Sequence, residues 1–251
     1  MPYLAIPHGT PAPPGVSHLS EPDEDGMVHG YLSRVFIPCE NTNWRDTINP
    51  ETLVRYNPTL QISNYLISRT EQGPLYPRQA TIVVSVDGAC RGNGTINAQA
   101  SFGVCFGPGS QFNVYGCLPQ ETFDQTNQVA EIVSCLVALE KIKTEVLPHV
   151  QRESNHHAQI KQVVLVTDSE YLVRSMSEYI WRWLQNGWVN SKRARVKNHH
   201  LLLRVHESLQ HFQQEMGMDV RFWRVNRRFN KVADALANEA LDSRRMYHRS
   251  I

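Results

Sequence analysis

Hydrophobic and polar positions divide the chain into two unlike parts. Before about residue 80 no period is sustained; from residue 79 onward the pattern switches between period two and period 3.6 in an ordered succession. Residues 81–86, Thr-Ile-Val-Val-Ser-Val, form a β-branched run that reads as a strand. It meets an acid, Asp87, and then a glycine-rich turn over residues 88–94. Residues 100–107 and 111–118 read as two more strands joined through Pro108-Gly109, an antiparallel meander. Thr126 caps a helix in which Ala130, Val133, Leu136, Val137, Leu139 and Ile142 recur at spacings of three and four, up to about residue 146. Residues 148–158 read as a polar loop, and 162–167 as an apolar strand covered on both faces. Asp168-Ser169 opens a helix to about residue 178. Residues 180–188 read as a short helix ending at Gly187, 197–216 as a long helix, 219–225 as the last strand and 230–244 as the last helix. The order βββαβαααβα is that of a mixed α/β domain.

The N-terminal third lacks this order. Residues 1–28 are proline-rich and carry the acidic group Glu21, Asp23, Glu24 and Asp25, so a disordered tail is expected. Residues 29–79 offer a short strand at 31–37, a helix opened by Asn49 with Pro50 at its first position, and a turn at Asn57-Pro58. These pieces are too short for a core of their own. They are expected to form an extension packed on the main domain, residues 80–245, with 246–251 as a C-terminal tail.

Charge sharpens the division. The net charge is +1, but residues 1–80 hold five Lys/Arg against eight Asp/Glu, and residues 81–251 hold twenty against sixteen. The basic excess is local, at Lys192, Arg193, Arg195, Lys197 and Arg204, and at Arg221, Arg224, Arg227, Arg228 and Lys231. Runs of this kind suit phosphates. Five cysteines without a C-x-x-C pair read as free thiols in a reducing compartment. No charged-then-apolar leader and no run of about 20 apolar residues is present. A soluble intracellular protein with no membrane partner is expected, nuclear or cytoplasmic with mitochondria left open, and monomeric.

Four acids stand in apolar settings: Asp87 and Asp168 at strand ends, Glu131 and Asp234 early in helices. Strand ends and helix starts of an open α/β sheet meet at one edge, where ligands bind. Four converging carboxylates repel one another unless cations are present. An all-oxygen donor set favours Mg²⁺ or Mn²⁺ over zinc. Two such ions about 4 Å apart form the arrangement that activates water and stabilises the leaving oxygen in phosphodiester cleavage.

At this point a resemblance enters. Asp87-Gly-Ala-Cys-Arg-Gly-Asn-Gly, Gly103-Val-Cys-Phe-Gly-Pro-Gly, Thr126-Asn-Gln-Val-Ala-Glu131, Val166-Thr-Asp168-Ser with the later Asn186-Gly-Trp188, and Asn230-Lys-Val-Ala-Asp234-Ala-Leu-Ala resemble type 1 ribonuclease H, in the family's order over about residues 80–243. The resemblance implies the ribonuclease H-like fold: a five-stranded mixed sheet flanked by helices, here with an N-terminal extension. It also implies an endonuclease that hydrolyses the RNA strand of RNA–DNA hybrids with two Mg²⁺ ions, Mn²⁺ substituting. Asp87, Glu131, Asp168 and Asp234 fall on the family's catalytic, metal-binding acids. Asn93, Asn127 and Gln128 fall on or beside positions that meet the RNA, where the 2′-hydroxyl marks it as RNA. Thr126 and Asn198 match a pocket for a DNA phosphate. Trp188, Lys192 and Arg193 match a basic protrusion that grips the DNA strand, and Arg227 and Arg228 are further phosphate contacts.

Two departures stand out. The loop Asn226-Arg-Arg-Phe-Asn230 is short and lacks the histidine found in many members, as in the family's short-loop variant. Asp124 occupies a position where an arginine often completes the phosphate pocket. They motivate an alternative, a catalytically weak module that binds hybrids or a protein partner. A nuclease or integrase of the same superfold acting on DNA is a third reading.

Overall fold

The computed structural model describes residues 27–28, 31–32, 34–38, 50–68, 75–154 and 159–247. In chain order its strands are β1 (Met27–Val28), β2 (Tyr31–Leu32), β3 (Val54–Asn57), β4 (Ile62–Ser68), β5 (Leu75–Pro77), β6 (Thr81–Arg91), β7 (Gln99–Cys105), β8 (Val114–Cys117), β9 (Gln162–Thr167) and β10 (Asp219–Arg224). Its α-helices are α1 (Asn127–Lys141), α2 (Leu147–Glu153), α3 (Glu170–Arg174), α4 (Ile180–Asn186), α5 (His199–Gln214) and α6 (Lys231–Ser243). The expected disorder of the N-terminal tail falls outside the described residues, apart from the short pair of β1 with β2. No helix among the described residues is long and apolar enough to cross a membrane.

The five expected strands form one mixed sheet in the order β8-β7-β6-β9-β10. β7 runs antiparallel to both its neighbours, and β9 runs parallel to β6 and β10. Three strands were not anticipated. β4 joins β6 at Ser63↔Val83, just beyond the point where β7 stops pairing, and β3 and β5 pair with β4, so the sheet has eight strands. The helix expected after Asn49 is only a 3₁₀ turn, Pro50–Thr52. Val54 and Tyr56 follow it, and side chains of this type pack better on a pleated sheet.

β6 also outruns its expected end. Pairing continues from Asp87↔Gly103 to Arg91↔Gln99, so Asp87 sits in mid-strand and the turn starts at Gly92. Gly88 lets α1 cross this strand closely: a Cβ there would lie 2.3 Å from the Glu131 backbone nitrogen. On the opposite face Gly103 does the same for α6, where a Cβ would lie 2.3 Å from the Ala233 oxygen. The polar loop expected at 148–158 is instead largely helix. A π-helical turn, Ile142–Val146, leads into α2, with Pro148 in the first turn, where a missing N–H is tolerated. Leu147 and Val150 are buried there. A second π turn, Ser175–Tyr179, fuses α3 to α4, and Gly187 in the left-handed region (φ 72°) ends the helix as expected.

Alternation along the strands sorts the core into two faces. Ile82, Val84, Val86, Val163, Leu165, Val220 and Phe222 share one cluster with the apolar sides of α1 and α5. Val83, Val164, Val166, Trp223 and Val225 point the other way. α6 covers that second face over β6, β7 and β8. Over β9 and β10 the cover comes from Phe36, Leu53, Val54 and Tyr65 of the N-terminal third. Residues 34–38 also close the β10 edge: Phe222 N donates to Arg34 O (2.7 Å) and Phe36 N to Phe222 O (2.8 Å).

Arg34 anchors this segment. Its buried guanidinium donates to the Met176 carbonyl oxygen (3.2 Å), meets His206 Nδ1 (2.9 Å) and lies 4.6 Å from the Trp181 ring centre. His206 accepts from it and is therefore neutral. Burial, then the Arg34 charge, pushes the ring down to about 3. A folded-state value below the ordinary 6.5 means that this contribution to stability is full above about pH 6.5 and is lost as the pH falls toward 3, because only the unfolded chain takes up the proton. Urea midpoints should accordingly fall more steeply between pH 6.5 and 4 in the wild type than in His206→Gln. Equal slopes would contradict this assignment.

Candidate active site

Four elements bring their acids to one edge of the sheet. Asp87 comes from the middle of β6 and is buried, facing Gly103 of β7. Glu131 comes from α1, which Gly88 admits to within contact of β6. Asp168 follows β9 directly, and Asp234 lies in the first turn of α6. The helix that carries Glu131 starts where the sequence places it, with Thr126 Oγ1 accepting from Val129 N (3.2 Å).

The acids act on one another. Burial first, then Asp168, pushes Asp87 up to about 7; Asp234 adds to the effect, and the Gly88 N–H and Arg227 oppose it. Burial, then Asp87 and Asp168, raises Glu131 to about 8, against the Asn127 amide and Arg227. Both shifts come first from burial and are enlarged by neighbouring like charges that water screens poorly.

Glu131, Asp168 and Asp234 are also tethered by side chains. Glu131 accepts from Asn127 Nδ2 at Oε1 (2.8 Å) and from the Ser169 hydroxyl at Oε2. Asp168 Oδ1 accepts from Asn230 Nδ2 (2.8 Å), which also donates to the Val86 carbonyl oxygen (3.0 Å), one residue before Asp87. Asp234 Oδ1 accepts from Arg227 Nη2 (3.1 Å). Among the described residues no group of three or more His, Cys, Asp or Glu stands at the spacing of a metal cage. The donor set nonetheless suits a hard divalent cation: it is all oxygen, buried at Asp87 and half-buried at the other three, and repelling itself.

The other expected site residues fall in four places. Asn93 sits in the exposed turn between Gly92 and Gly94, and its Oδ1 accepts from Asn127 N (3.4 Å), which sets it beside Asn127 and the exposed Gln128. Lys192 and Arg193 lie in an exposed loop folded around Asn190, whose Oδ1 accepts from Lys192 N (2.9 Å) and Ala194 N (3.1 Å). Trp188 supports this loop from a half-buried position, stacked on Trp183 with centroids 5.9 Å apart. Asn198, at the start of α5, lies against the Tyr171 hydroxyl. Of the two loop arginines, Arg227 reaches the acids, whereas Arg228 lies over the Phe229 ring (4.6 Å).

Sequence reasoning assigned no role to Ser169 or Asn230. Ser169 has two, capping α3 at Leu172 N (3.1 Å) and holding Glu131. The only signals for either were small polar residues at helix starts, which read equally well as ordinary caps.

The RNase H family model matches residues 79–242, and the chain belongs to that family. Human Ribonuclease H1 is 32% identical over 162 residues, covering 63% of this chain and 49% of the human protein. Ribonuclease H of Alcanivorax borkumensis is 28% identical over 167 residues, covering 64% of this chain and 91% of that one. The chain spans about half the length of the human and rat relatives it matches. Among solved structures, LC11-RNase H1 in complex with RNA/DNA hybrid is similar at 23% identity and a TM-score of 0.40, over 64% of this chain and 97% of that one. The solution structure of the PFV RNase H domain gives 22% and 0.42, over 63% and 92%.

Repulsion of this strength has a measurable consequence. Asp87→Asn removes one buried charge and keeps the shape. In EDTA at pH 8 it should raise the unfolding free energy by roughly 1–3 kcal/mol, read from urea denaturation. A loss of stability would show that the acids do not strain one another.

Proposed function

We propose that the protein is an endonuclease that hydrolyses the RNA strand of RNA–DNA hybrids with two Mg²⁺ ions. One observation carries the reading: the acids of four separate family motifs meet at a single sheet edge, where burial first and then their mutual charge raise Asp87 and Glu131. Asp87, Glu131, Asp168 and Asp234 would hold the ions. When bound, such ions polarise the phosphodiester and make water a competent nucleophile near neutral pH. The chain's own part is orientation. Asn127 and Ser169 aim the Glu131 carboxylate, Asn230 aims Asp168, and Arg227 supplies positive charge beside Asp234. Arg227 cannot serve as a base near neutral pH, so the histidine-free loop contributes charge to this site and no proton acceptor.

Substrate choice follows from the surroundings. Asn93, Asn127 and Gln128 present amides at one turn, suited to the 2′-hydroxyls and base edges of the minor groove. Lys192 and Arg193 suit phosphates of the paired DNA strand, which set register without reading sequence. Thr126 and Asn198 remain candidates for one DNA phosphate. The acid at Asp124 beside them is exposed and argues for a weak contact.

Incubation of the protein with a hybrid labelled in its RNA strand should give Mg²⁺-dependent cleavage, absent with duplex DNA. Asp87→Asn and Asp168→Asn should each lower kcat by at least about a hundredfold while remaining folded. Hybrid binding without cleavage at any Mg²⁺ or Mn²⁺ concentration would overturn the reading in favour of a binding module. Replacing Lys192 and Arg193 together by Ala should weaken hybrid binding evenly across sequences. It should also lower the slope of log affinity against log salt by up to about 2, measured by fluorescence anisotropy.

A further inference from the structure

The family match begins at residue 79, yet residues 34–38 and 50–68 are built onto the same sheet. The aromatic cluster on the second face shows what they touch. Phe36 lies 4.9 Å from Tyr65 and 5.5 Å from Trp223, ring centre to ring centre, and Tyr65 lies 6.1 Å from Trp223. The Tyr65 hydroxyl donates to the Pro38 carbonyl oxygen (2.6 Å), tying β4 to the segment along β10. Arg34 pins the start of that segment between α5 and the turn before α4. Leu53 and Val54 pack against the same cluster, and so does Phe229.

Phe229 makes the cluster matter for the site. It is the last residue of the 3₁₀ turn Arg227–Phe229, in the loop between β10 and α6. Arg227, at the start of this turn, reaches Asp234. Asn230, immediately after it, holds Asp168 and the Val86 carbonyl. Within the loop itself, Arg228 N donates to Asn226 Oδ1 (3.2 Å), Phe229 N to Asn226 O (2.8 Å) and Asn230 N to Arg227 O (3.0 Å). A single 3₁₀ turn with exposed bonds does not hold its shape alone. One side of the turn faces the acids, and the other seats Phe229 on the apolar cluster of Tyr65, Val83, Val164, Val166, Trp223 and Val225, against which Phe36 also packs.

We propose that the N-terminal segment is a positioning element for the active-site loop: Phe36 and Tyr65 act through Phe229 to hold Arg227 and Asn230 against Asp234 and Asp168. The proposal rests on the ribonuclease reading for its effect on turnover, but its structural half stands apart from it. A segment outside the conserved domain would thereby set the geometry of a loop that is short and lacks the family's histidine.

The test uses the full chain with Phe36→Ala, Phe229→Ala, the double variant, and the milder Phe36→Leu and Tyr65→Phe. Amide hydrogen exchange in EDTA should show residues 226–230 exchanging about tenfold faster or more in Phe36→Ala, while residues 130–139 of α1 keep their protection. With hybrid and Mg²⁺, kcat should fall about tenfold and KM should stay within about twofold, because the loop serves the reacting end and not the grip on the substrate. The double variant should be no slower than Phe229→Ala alone, since both changes break one path. Phe36→Leu should restore most of the protection and most of kcat. Unchanged exchange at 226–230, protection lost equally throughout the chain, or multiplying effects on kcat would each overturn the proposal. If Phe36→Ala fails to fold, Phe36→Leu and Tyr65→Phe carry the same comparison at smaller amplitude. If the wild type cleaves no hybrid, the ribonuclease reading fails, and the exchange data still decide whether the segment holds the loop.

Discussion

Like charges confined where water screens them poorly are the constraint that this structure is arranged around. Burial alone disfavours ionised Asp87 and Glu131, and their neighbours disfavour it further, until both titrate near neutrality. A flexible scaffold would relax by turning the acids out to solvent. Here that route is closed. Asp87 is in mid-strand, paired with Gly103 of β7 two residues beyond the end of the β9 pairing, and Gly88 beside it admits the Glu131 backbone. The tethers are mostly neutral. Asn127, Ser169 and Asn230 fix where Glu131 and Asp168 point without cancelling their charge, so the negative potential survives for a cation to meet. Only Arg227 offers countercharge, and it does so from the rim, with its side chain 78% exposed. That makes it the easiest of the contacts to exchange.

Much of this was readable in the chain because it is local. The four acids each sit at an element boundary that period and capping mark well, and the strand and helix order from residue 81 onward follows the pattern of apolar positions. The errors have physical causes. Asp87 reads as a strand end because glycine follows it. Gly88 is there for the approach of α1, a tertiary demand that leaves no local signature, and the strand runs on to Arg91. Pro148 reads as a stop, yet it follows a π turn that begins a fresh helical segment, where proline is tolerated. Ser169 and Asn230 read as caps because a cap and a tether use the same side chain, and only the fold shows what stands opposite.

The N-terminal third was the least readable, and the reason bears on what it does. Its strands β3, β4 and β5 are short, and their apolar residues show no period that would announce a buried face. Their partner is supplied from far along the chain: Val164, Val166, Trp223 and Val225 form an apolar patch on the second face of β9 and β10 that α6 does not reach. An uncovered patch of that kind invites association, so something must cover it. The same patch receives Phe229, whose loop carries Arg227 and Asn230 to the acids. Whatever covers the sheet here therefore also bears on the loop, since the two share one layer of side chains, and close-packed layers transmit displacement instead of absorbing it. Covering the sheet and shaping the active site are, at this corner of the molecule, a single packing problem, and Phe36, Leu53, Val54 and Tyr65 provide its solution.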